Sequence, residues 1–304
     1  MTNPQSRDMS ASVRRRLMNL ARERGEEFQL VLTQFGIERL LYRIAQSPHA
    51  GQFVLKGAAL FQLWTGQAHR STRDLDLLGR GEPSIDRLRR SFQDVCSLTV
   101  VDDGLTFATD AIQAEKIKED DEYQGIRLRI DARLGNARIP LQIDVGFGDA
   151  VTPGPQAVTY PTLLDFPAPR LNAYPPETAV AEKYQAMVQL GMANSRVKDF
   201  YDVWTLARQF EFDGTVLCEA IRTTFQRRRT ALPETTPLAL TAEFSTDRNK
   251  AAQWDAFLRK GRLIESPPPL EEVVALLASF LTPPTLALVS NDPWSRTWVP
   301  AEWR

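Results

Sequence analysis

A glycine turn between a short apolar strand and the start of a helix, followed by two carboxylates one residue apart, constrains this chain most. Segment 53–60 is apolar except for Lys56 and Gly57, which predicts a strand, a turn and a helix start in succession. Asp74 and Asp76 alternate with leucines further along the chain. Because side chains on a strand alternate between faces, both carboxylates are expected on one face and the leucines in the core.

Two carboxylates held side by side favour a divalent cation. Like charges repel, and burying them without a counter-charge is costly. Mg²⁺ prefers oxygen ligands, takes one or two protein carboxylates and keeps positions for substrate phosphates. The glycine turn and helix start offer backbone N–H groups to those phosphates. The pair alone does not exclude a solvated strand end, because two aspartates at this spacing are frequent by chance.

A third carboxylate in a similar context strengthens the metal interpretation. Asp144 lies in the segment 139–149, where apolar residues alternate with Gln142 and Asp144. A carboxylate there is expected to add a ligand or to act as a base toward an attacking hydroxyl. Asp131 competes for this role. We favour Asp144 because glycines follow it and leave room for a ligand to approach.

The composition indicates the protein class without identifying a partner. The chain has 304 residues and a net charge of −1, so one large or two modest domains fit and no global basic field points to nucleic acid. The chain has two cysteines, which argues against a disulfide framework. It also has two histidines, and we expect no Cys/His zinc site from these four residues. The polar N-terminus and the lack of a long apolar stretch predict a cytoplasmic protein with no membrane contact.

The order of predicted elements gives an α/β (α+β) fold in two parts. Residues 1–150 carry two N-terminal helices and then alternating strands and helices, residues 151–176 read as a proline-rich linker, and residues 177–304 are mainly helical. The predicted strands span 53–56, 73–78, 97–101, 126–134 and 139–146. Later helices are predicted over 84–95, 197–208 and 270–281.

The helix predicted over 197–208 carries a second polar cluster. Its apolar residues share one stripe, and the facing side combines Lys198, Asp199 and Asp202. The same pattern fits a solvated face with a Lys198–Asp202 pair that stabilises the helix by only a few tenths of a kcal/mol. The pattern by itself favours the solvated face.

Taken together, these segments resemble the polymerase-beta-type nucleotidyltransferases, and more closely the AbiEii/AbiGii (MenT-like) toxin family. The resemblance lies in the segments 55–57, 72–77, 142–144 and 196–202. One departure concerns Ala58, where many relatives have glycine and the wider superfamily often has serine. Alanine lacks the hydroxyl that would touch a phosphate but keeps the backbone N–H.

The family resemblance implies an N-terminal nucleotidyltransferase-fold mixed sheet with flanking helices, and a mainly helical C-terminal domain that completes the active-site cleft. It implies an Mg²⁺-dependent enzyme with an NTP as co-substrate and a tRNA 3′ end as acceptor. The implied partner is a winged-helix antitoxin in a type IV toxin–antitoxin or phage-defence (abortive infection) system.

Residue roles follow from the same resemblance. The implied metal ligands are Asp74, Asp76 and Asp144. The implied catalytic set adds Lys198, Asp199 and Asp202. The implied nucleotide-binding residues are Lys56, Gly57, Ala58, Thr72, Lys183 and Arg196.

Two alternative functions remain open at this stage. The acceptor hydroxyl could belong to a protein or to a small molecule such as an antibiotic, and a non-catalytic NTP-binding protein could keep the same fold. Ala58 is the feature that leans toward the non-catalytic alternative. Basic runs at 14–16 and 227–229 fit either RNA backbone contact or solvated helix ends.

Overall fold

The computed structural model describes residues 4–66, 74–119, 123–260, 263 and 265–304, without the side chains of residues 4–8, 118, 119, 123 and 124. Thr72 therefore lies outside the described residues. The chain divides into two compact units. The first combines Met1–Gly148 with Gln156–Ala173, and the second combines Asp149–Pro155 with Tyr174–Arg304.

The first unit is a mixed sheet with flanking helices. Its helices are α1 (Pro4–Arg24), α2 (Phe28–Gln46), α3 (Ala59–Thr65) and α4 (Ile85–Ser97). Its strands are β1 (Phe53–Lys56), β2 (Asp74–Gly79), β3 (Leu105–Phe107), β4 (Gln113–Glu119), β5 (Tyr123–Leu134), β6 (Ala137–Phe147), β7 (Gln156–Thr159) and β8 (Arg170–Ala173).

The sheet has the strand order β3-β5-β6-β2-β1-β8-β7, and β4 also pairs with β5. Strand β2 runs parallel to β6 and antiparallel to β1, so it is hydrogen-bonded on both sides. The β1–β8 pair is also parallel. The predicted α/β fold with an N-terminal mixed sheet is confirmed.

The hairpin of β5 and β6 is fixed by a tight turn and by one apolar face. Leu134 pairs with Ala137, which leaves a two-residue turn, and Gly135 there has a φ of +59°. Alternate β6 residues are buried, and helix α2 packs closely over this face. A Cβ on Gly36 of α2 would lie only 3.1 Å from side-chain atoms of both Ile139 and Leu141. The other face of the hairpin carries the polar residues.

Two elements of the first unit differ from the sequence-based prediction. The strand predicted over 97–101 is wrong, because α4 continues to Ser97 and no strand follows before β3. The last turns of α4 bury Val95 and Cys96, whereas Val101 is 56% exposed. The linker predicted over 151–176 contains two paired strands, β7 and β8. Its prolines lie outside both strands, so the backbone N–H groups needed for pairing are present.

A buried ionic cluster joins α2 to two loops of the first unit. Asp103 accepts hydrogen bonds from Arg39 Nε at 3.0 Å and from Arg43 Nη1 at 2.6 Å. Glu38 Oε2 accepts from the Leu163 backbone N–H at 2.7 Å. Burial raises the pKa of Glu38 to about 7, against the opposing effects of the Leu163 N–H and Arg39.

We predict that Glu38→Gln changes the pH dependence of stability. The folded-state pKa of Glu38, about 7, exceeds its ordinary value of 4.5. Its contribution to stability is therefore complete below pH 4.5 and is lost as the pH rises through 7. From pH 4.5 to 8, the unfolding free energy of wild type should fall by about 3 kcal/mol relative to that of Glu38→Gln. Urea unfolding at both pH values measures this, and a constant difference between the proteins would contradict it.

The second unit is mainly helical, as the sequence predicted. Its helices are α5 (Pro176–Leu190), α6 (Val197–Gln209), α7 (Gly214–Arg227), α8 (Ala242–Ser245), α9 (Arg248–Lys260) and α10 (Leu270–Ser290). A small sheet has the order β11-β10-β9 and consists of β9 (Phe212–Asp213), β10 (Thr297–Val299) and β11 (Glu302–Trp303).

Helix α10 is longer than predicted. It continues through Pro283 and Pro284 to Ser290, so the helix predicted over 270–281 ended too early. By length and composition it could cross a membrane, and the expectation that no stretch approaches such a span is wrong on that criterion. Its apolar side packs against α6 and α7, with Phe280 against the rings of the C-terminal tryptophans, as expected of a core helix.

Candidate active site

Four charged residues lie side by side across four neighbouring strands. Lys56 of β1 is opposite Asp76 of β2, Asp76 is opposite Asp144 of β6, and Asp144 is opposite Arg127 of β5. Directly opposed residues point to the same face, and neighbouring strands are about 4.8 Å apart. We call these four residues the charged row. Its two carboxylates are flanked by a cation on each side.

Strand β2 presents both of its aspartates on the face of the charged row. Leu75 and Leu77 are buried in the core, whereas Asp74 and Asp76 are only half-buried. The predicted alternation is therefore confirmed. Gln142 of β6 lies opposite Asp74, on the same face as the charged row and next to it along the strands.

Gly57 brings the backbone against the Asp76 carboxylate. Its φ of +74° lies in the left-handed region, and a Cβ at this position would be only 2.0 Å from Asp76 Oδ2. A side chain at residue 57 would therefore strain the backbone and displace the carboxylate. Ala58 is the N-cap residue of α3, and its methyl group cannot make a capping hydrogen bond.

We predict that Gly57→Ala lowers the unfolding free energy by about 1–3 kcal/mol and reduces activity, because the added methyl displaces Asp76. Gly51→Ala is the matched control, since a Cβ at Gly51 meets no atom within 4 Å. Urea unfolding and an activity assay on both variants test this. Equal stability and equal activity of the two variants would show that the close approach at Gly57 is unimportant.

Arg127 binds both oxygens of Asp144. Its Nε donates to Oδ1 at 2.8 Å and its Nη2 donates to Oδ2 at 2.7 Å. The Gln142 amide oxygen, in the orientation that satisfies both amide atoms, accepts from Arg127 Nε at 3.1 Å. The hydrogen bond to Asp144 is the main reason that the pKa of Arg127 is raised further above its usual value.

Sequence analysis missed Arg127, although a signal was present. The Gly-Asn pair at 135–136 is a two-residue hairpin turn, and such a turn fixes which residues face each other along both strands. Counting back equally from that turn pairs Arg127 with Asp144. The same count pairs Asp131 with Pro140, and Asp131 instead bonds Arg138 at 2.9 Å. Asp144, rather than its competitor Asp131, therefore lies opposite Asp76.

The chemistry of Asp74 and Asp76 fits a divalent cation, because two carboxylates on one strand face offer the hard oxygen donors that Mg²⁺ prefers. Both oxygens of Asp144 accept from Arg127. Within the part of the chain that the structure describes, no three acidic, histidine or cysteine side chains form a metal-binding group. The metal roles of Asp74, Asp76 and Asp144 therefore stay predictions.

The second unit contains a buried cluster around Lys183 of α5. Lys183 Nζ lies 2.7 Å from Asp199 Oδ1 and 2.8 Å from Asp202 Oδ2, both on α6. Arg196 Nε lies 3.0 Å from Asp199 Oδ2. The side chains of Asp199 and Asp202 are 2% and 0% exposed. We call these four residues the Lys183 cluster.

Lys198 does not share the environment of the two aspartates. It is exposed, whereas Asp199 and Asp202 are buried, so the α6 face predicted to combine the three residues is divided. Successive residues on a helix differ by about 100°, which turns Lys198 away from Asp199. Asp202 pairs with Lys183 of the neighbouring helix. The predicted apolar stripe of α6 is buried: Phe200, Val203, Trp204 and Ala207.

We predict that Lys183→Met destabilises the second unit by about 3 kcal/mol, because it leaves two buried carboxylates without their shared cation. Arg196→Met is the control. Arg196 is 48% exposed and pairs with Asp199, so its loss should cost less than about 1 kcal/mol. Urea unfolding of both variants compares the costs. Similar values for the two would contradict a structural role of the buried lysine.

The basic run at 227–229 is not uniformly exposed. Arg228 donates to Asp149 Oδ1 from Nε at 3.1 Å and to Gln185 Oε1 from Nη1 at 2.9 Å. These bonds tie the segment Asp149–Pro155 to α5 within the second unit. Arg228 is therefore a structural residue, whereas Arg227 and Arg229 are exposed.

Comparison with known proteins agrees with the resemblance read from the sequence. The family model described as "Nucleotidyl transferase AbiEii toxin, Type IV TA system" matches residues 39–276. The crystal structure of JHP933 from Helicobacter pylori aligns with a TM-score of 0.50 at 14% identity, over 87% of this chain and 95% of that one. A second H. pylori crystal structure aligns with a TM-score of 0.49 at 15% identity, over 88% of this chain and 100% of that one. The search of curated proteins gives no match.

Proposed function

Because the chain belongs to the AbiEii family of nucleotidyl transferase toxins of type IV toxin–antitoxin systems, we propose that it transfers a nucleotide from an NTP to a tRNA 3′ hydroxyl. Family membership establishes the nucleotidyltransferase class and implies an NTP substrate and a cognate antitoxin. The acceptor, the metal and the residue roles are the proposal. The charged row, with Asp74 on the same face, is the observation that supports the metal and the residue roles. The tRNA acceptor follows from the family resemblance.

Asp74 and Asp76 would hold Mg²⁺, which when bound neutralises phosphate charge and orients the triphosphate. Asp144 would take the proton from the acceptor hydroxyl. Each carboxylate oxygen has two lone pairs, so the hydrogen bonds from Arg127 leave capacity for that proton. This division of roles uses two carboxylates of β2 for the cation and the carboxylate of β6 for the acceptor.

The nucleotide would contact the turn after β1. Lys56 supplies a cation in the charged row, and Gly57 and Ala58 supply backbone N–H groups. Thr72, which we also assign to nucleotide binding, lies outside the described residues. Its hydroxyl would donate a hydrogen bond to a phosphate oxygen.

In the second unit, exposed cations and the buried Lys183 would have different roles. Arg196 and Lys198 are exposed and would offer charge to phosphates. Lys183 forms ion pairs with Asp199 and Asp202. These three residues would fix the start of α6 against α5 and neutralise the buried charges there. Catalytic contributions of Asp199 and Asp202 would then act through Lys183.

The biological consequence would be translational arrest in the cytoplasm. A tRNA whose 3′ end carries extra nucleotides cannot be aminoacylated, so transfer would inhibit growth and limit phage propagation by abortive infection. We propose a winged-helix antitoxin as the cognate partner. Transfer to a protein or small-molecule acceptor, or NTP binding without turnover, are the competing outcomes of the test.

We predict that the purified protein, incubated with Mg²⁺, α-labelled NTP and total tRNA, transfers label to tRNA. Asp74→Asn and Asp76→Asn should each lower the rate by about 10³-fold, because each removes charge that the cation requires. Asp131→Asn is the matched control. It alters a carboxylate on the same sheet face that is paired with Arg138, and it should keep near wild-type activity.

The outcomes separate the candidate functions. No transfer by wild type, or equal transfer by Asp76→Asn, would contradict the proposed reaction. Label in protein or in small molecules would replace the tRNA acceptor. Calorimetry that detects Mg²⁺-NTP binding in the absence of any transfer would favour a non-catalytic protein.

A further inference from the structure

We infer that Arg127 is a positioning residue, whose guanidinium holds the Asp144 carboxylate in the orientation that receives the acceptor proton. This inference rests on the proposed function of Asp144 as the base. It concerns a residue on β5 that is absent from the site residues implied by the family resemblance.

The bidentate geometry fixes the plane of the carboxylate. Two parallel N–H···O bonds of 2.8 and 2.7 Å join Arg127 to both oxygens of Asp144. A guanidinium fork constrains rotation about the Asp144 side-chain bonds, whereas a single point charge such as an ammonium does not. Arg127 therefore fixes the orientation of the Asp144 carboxylate in addition to balancing its charge.

The charges on both sides of Asp144 act together with this clamp. Asp76 lies directly opposite Asp144 on the parallel neighbour strand, and like charges at opposed positions repel. Asp144 and Arg127 are 20% and 30% exposed, so solvent screens this repulsion incompletely. Attraction to Arg127 on the far side acts in the same direction as this repulsion, and the two hydrogen bonds from Arg127 hold the carboxylate in one plane. Without Arg127, the Asp144 carboxylate would lose that plane and rotate about its side-chain bonds.

Arg127 is itself held in place. In the orientation that satisfies both amide atoms, the Gln142 amide oxygen accepts from Arg127 Nε at 3.1 Å and from Nη2 at 3.2 Å. Arg129, two residues further along the same face of β5, provides a natural contrast. Arg129 lies opposite Gln142 and pairs with Glu115 of β4 at 2.8 Å, so it has a similar ion pair outside the charged row.

The test compares Arg127→Gln, Arg127→Lys and Arg129→Gln in the tRNA labelling assay. Arg127→Gln should lose about 10²-fold in kcat, because a misdirected base is costly. Its KM for tRNA and its Kd for Mg²⁺-NTP, measured by calorimetry, should stay within about twofold of wild type. Arg127→Lys should recover about tenfold of the loss in kcat, because it restores charge without the fork. Arg129→Gln should behave as wild type.

Two further measurements separate positioning from folding. Guanidinium ion at millimolar concentration should raise kcat of Arg127→Ala and leave Arg129→Ala unchanged. A crystal structure of Arg127→Gln should show the Asp144 carboxylate turned from its present orientation. An Asp144 carboxylate that keeps this orientation without Arg127 would overturn the inference, whether or not tRNA is the acceptor.

Failure of the inference differs from failure of the proposed function. Wild type active, Asp144→Asn inactive and Arg127→Gln fully active would reject Arg127 alone. A weaker Kd for Mg²⁺-NTP with kcat retained would also reject it and make Arg127 a nucleotide contact. Full activity of Asp144→Asn would reject the base on which both ideas depend.

Discussion

Strand β2 is hydrogen-bonded on both sides, and this pairing decides which charges surround Asp76. Lys56 comes from the antiparallel neighbour, Asp144 comes from the parallel neighbour, and Arg127 follows on the next strand. The buried Leu75 and Leu77 on either side of Asp76 fix the register, because a slip by one residue would turn the carboxylates into the core. Packing on one face of the sheet therefore specifies the chemistry on the other.

The two units handle their carboxylates in different ways. In the first, Asp144 and its partner Arg127 remain 20% and 30% exposed, so ligands can exchange with these groups. In the second, Asp199 and Asp202 are almost fully buried around Lys183, and removing one partner would leave a desolvated charge. Partial exposure suits reacting groups, whereas complete burial suits a cluster that fixes helices.

Local patterns predicted much of the fold and part of the site. The alternation around Asp76 follows from the period of a strand alone. The segment 97–101 looked like a strand by its β-branched residues, but tertiary packing extended the preceding helix. Prolines concealed the strands within 151–176. Strands β7 and β8 pair with each other inside this segment, and β8 also pairs with the distant β1. The same limit applies to Arg127, whose role appears only once the hairpin register is known, and to Lys198, whose exposure depends on where α6 packs.

Diffraction from crystals grown with Mn²⁺ and a non-hydrolysable NTP analogue tests the central claim most directly. Anomalous scattering locates Mn²⁺, which occupies the same kind of oxygen-ligand site as Mg²⁺. The account predicts a peak in contact with the carboxylates of Asp74 and Asp76, on the face shared with Asp144. A bound nucleotide whose metal peak lies away from Asp76 would contradict it.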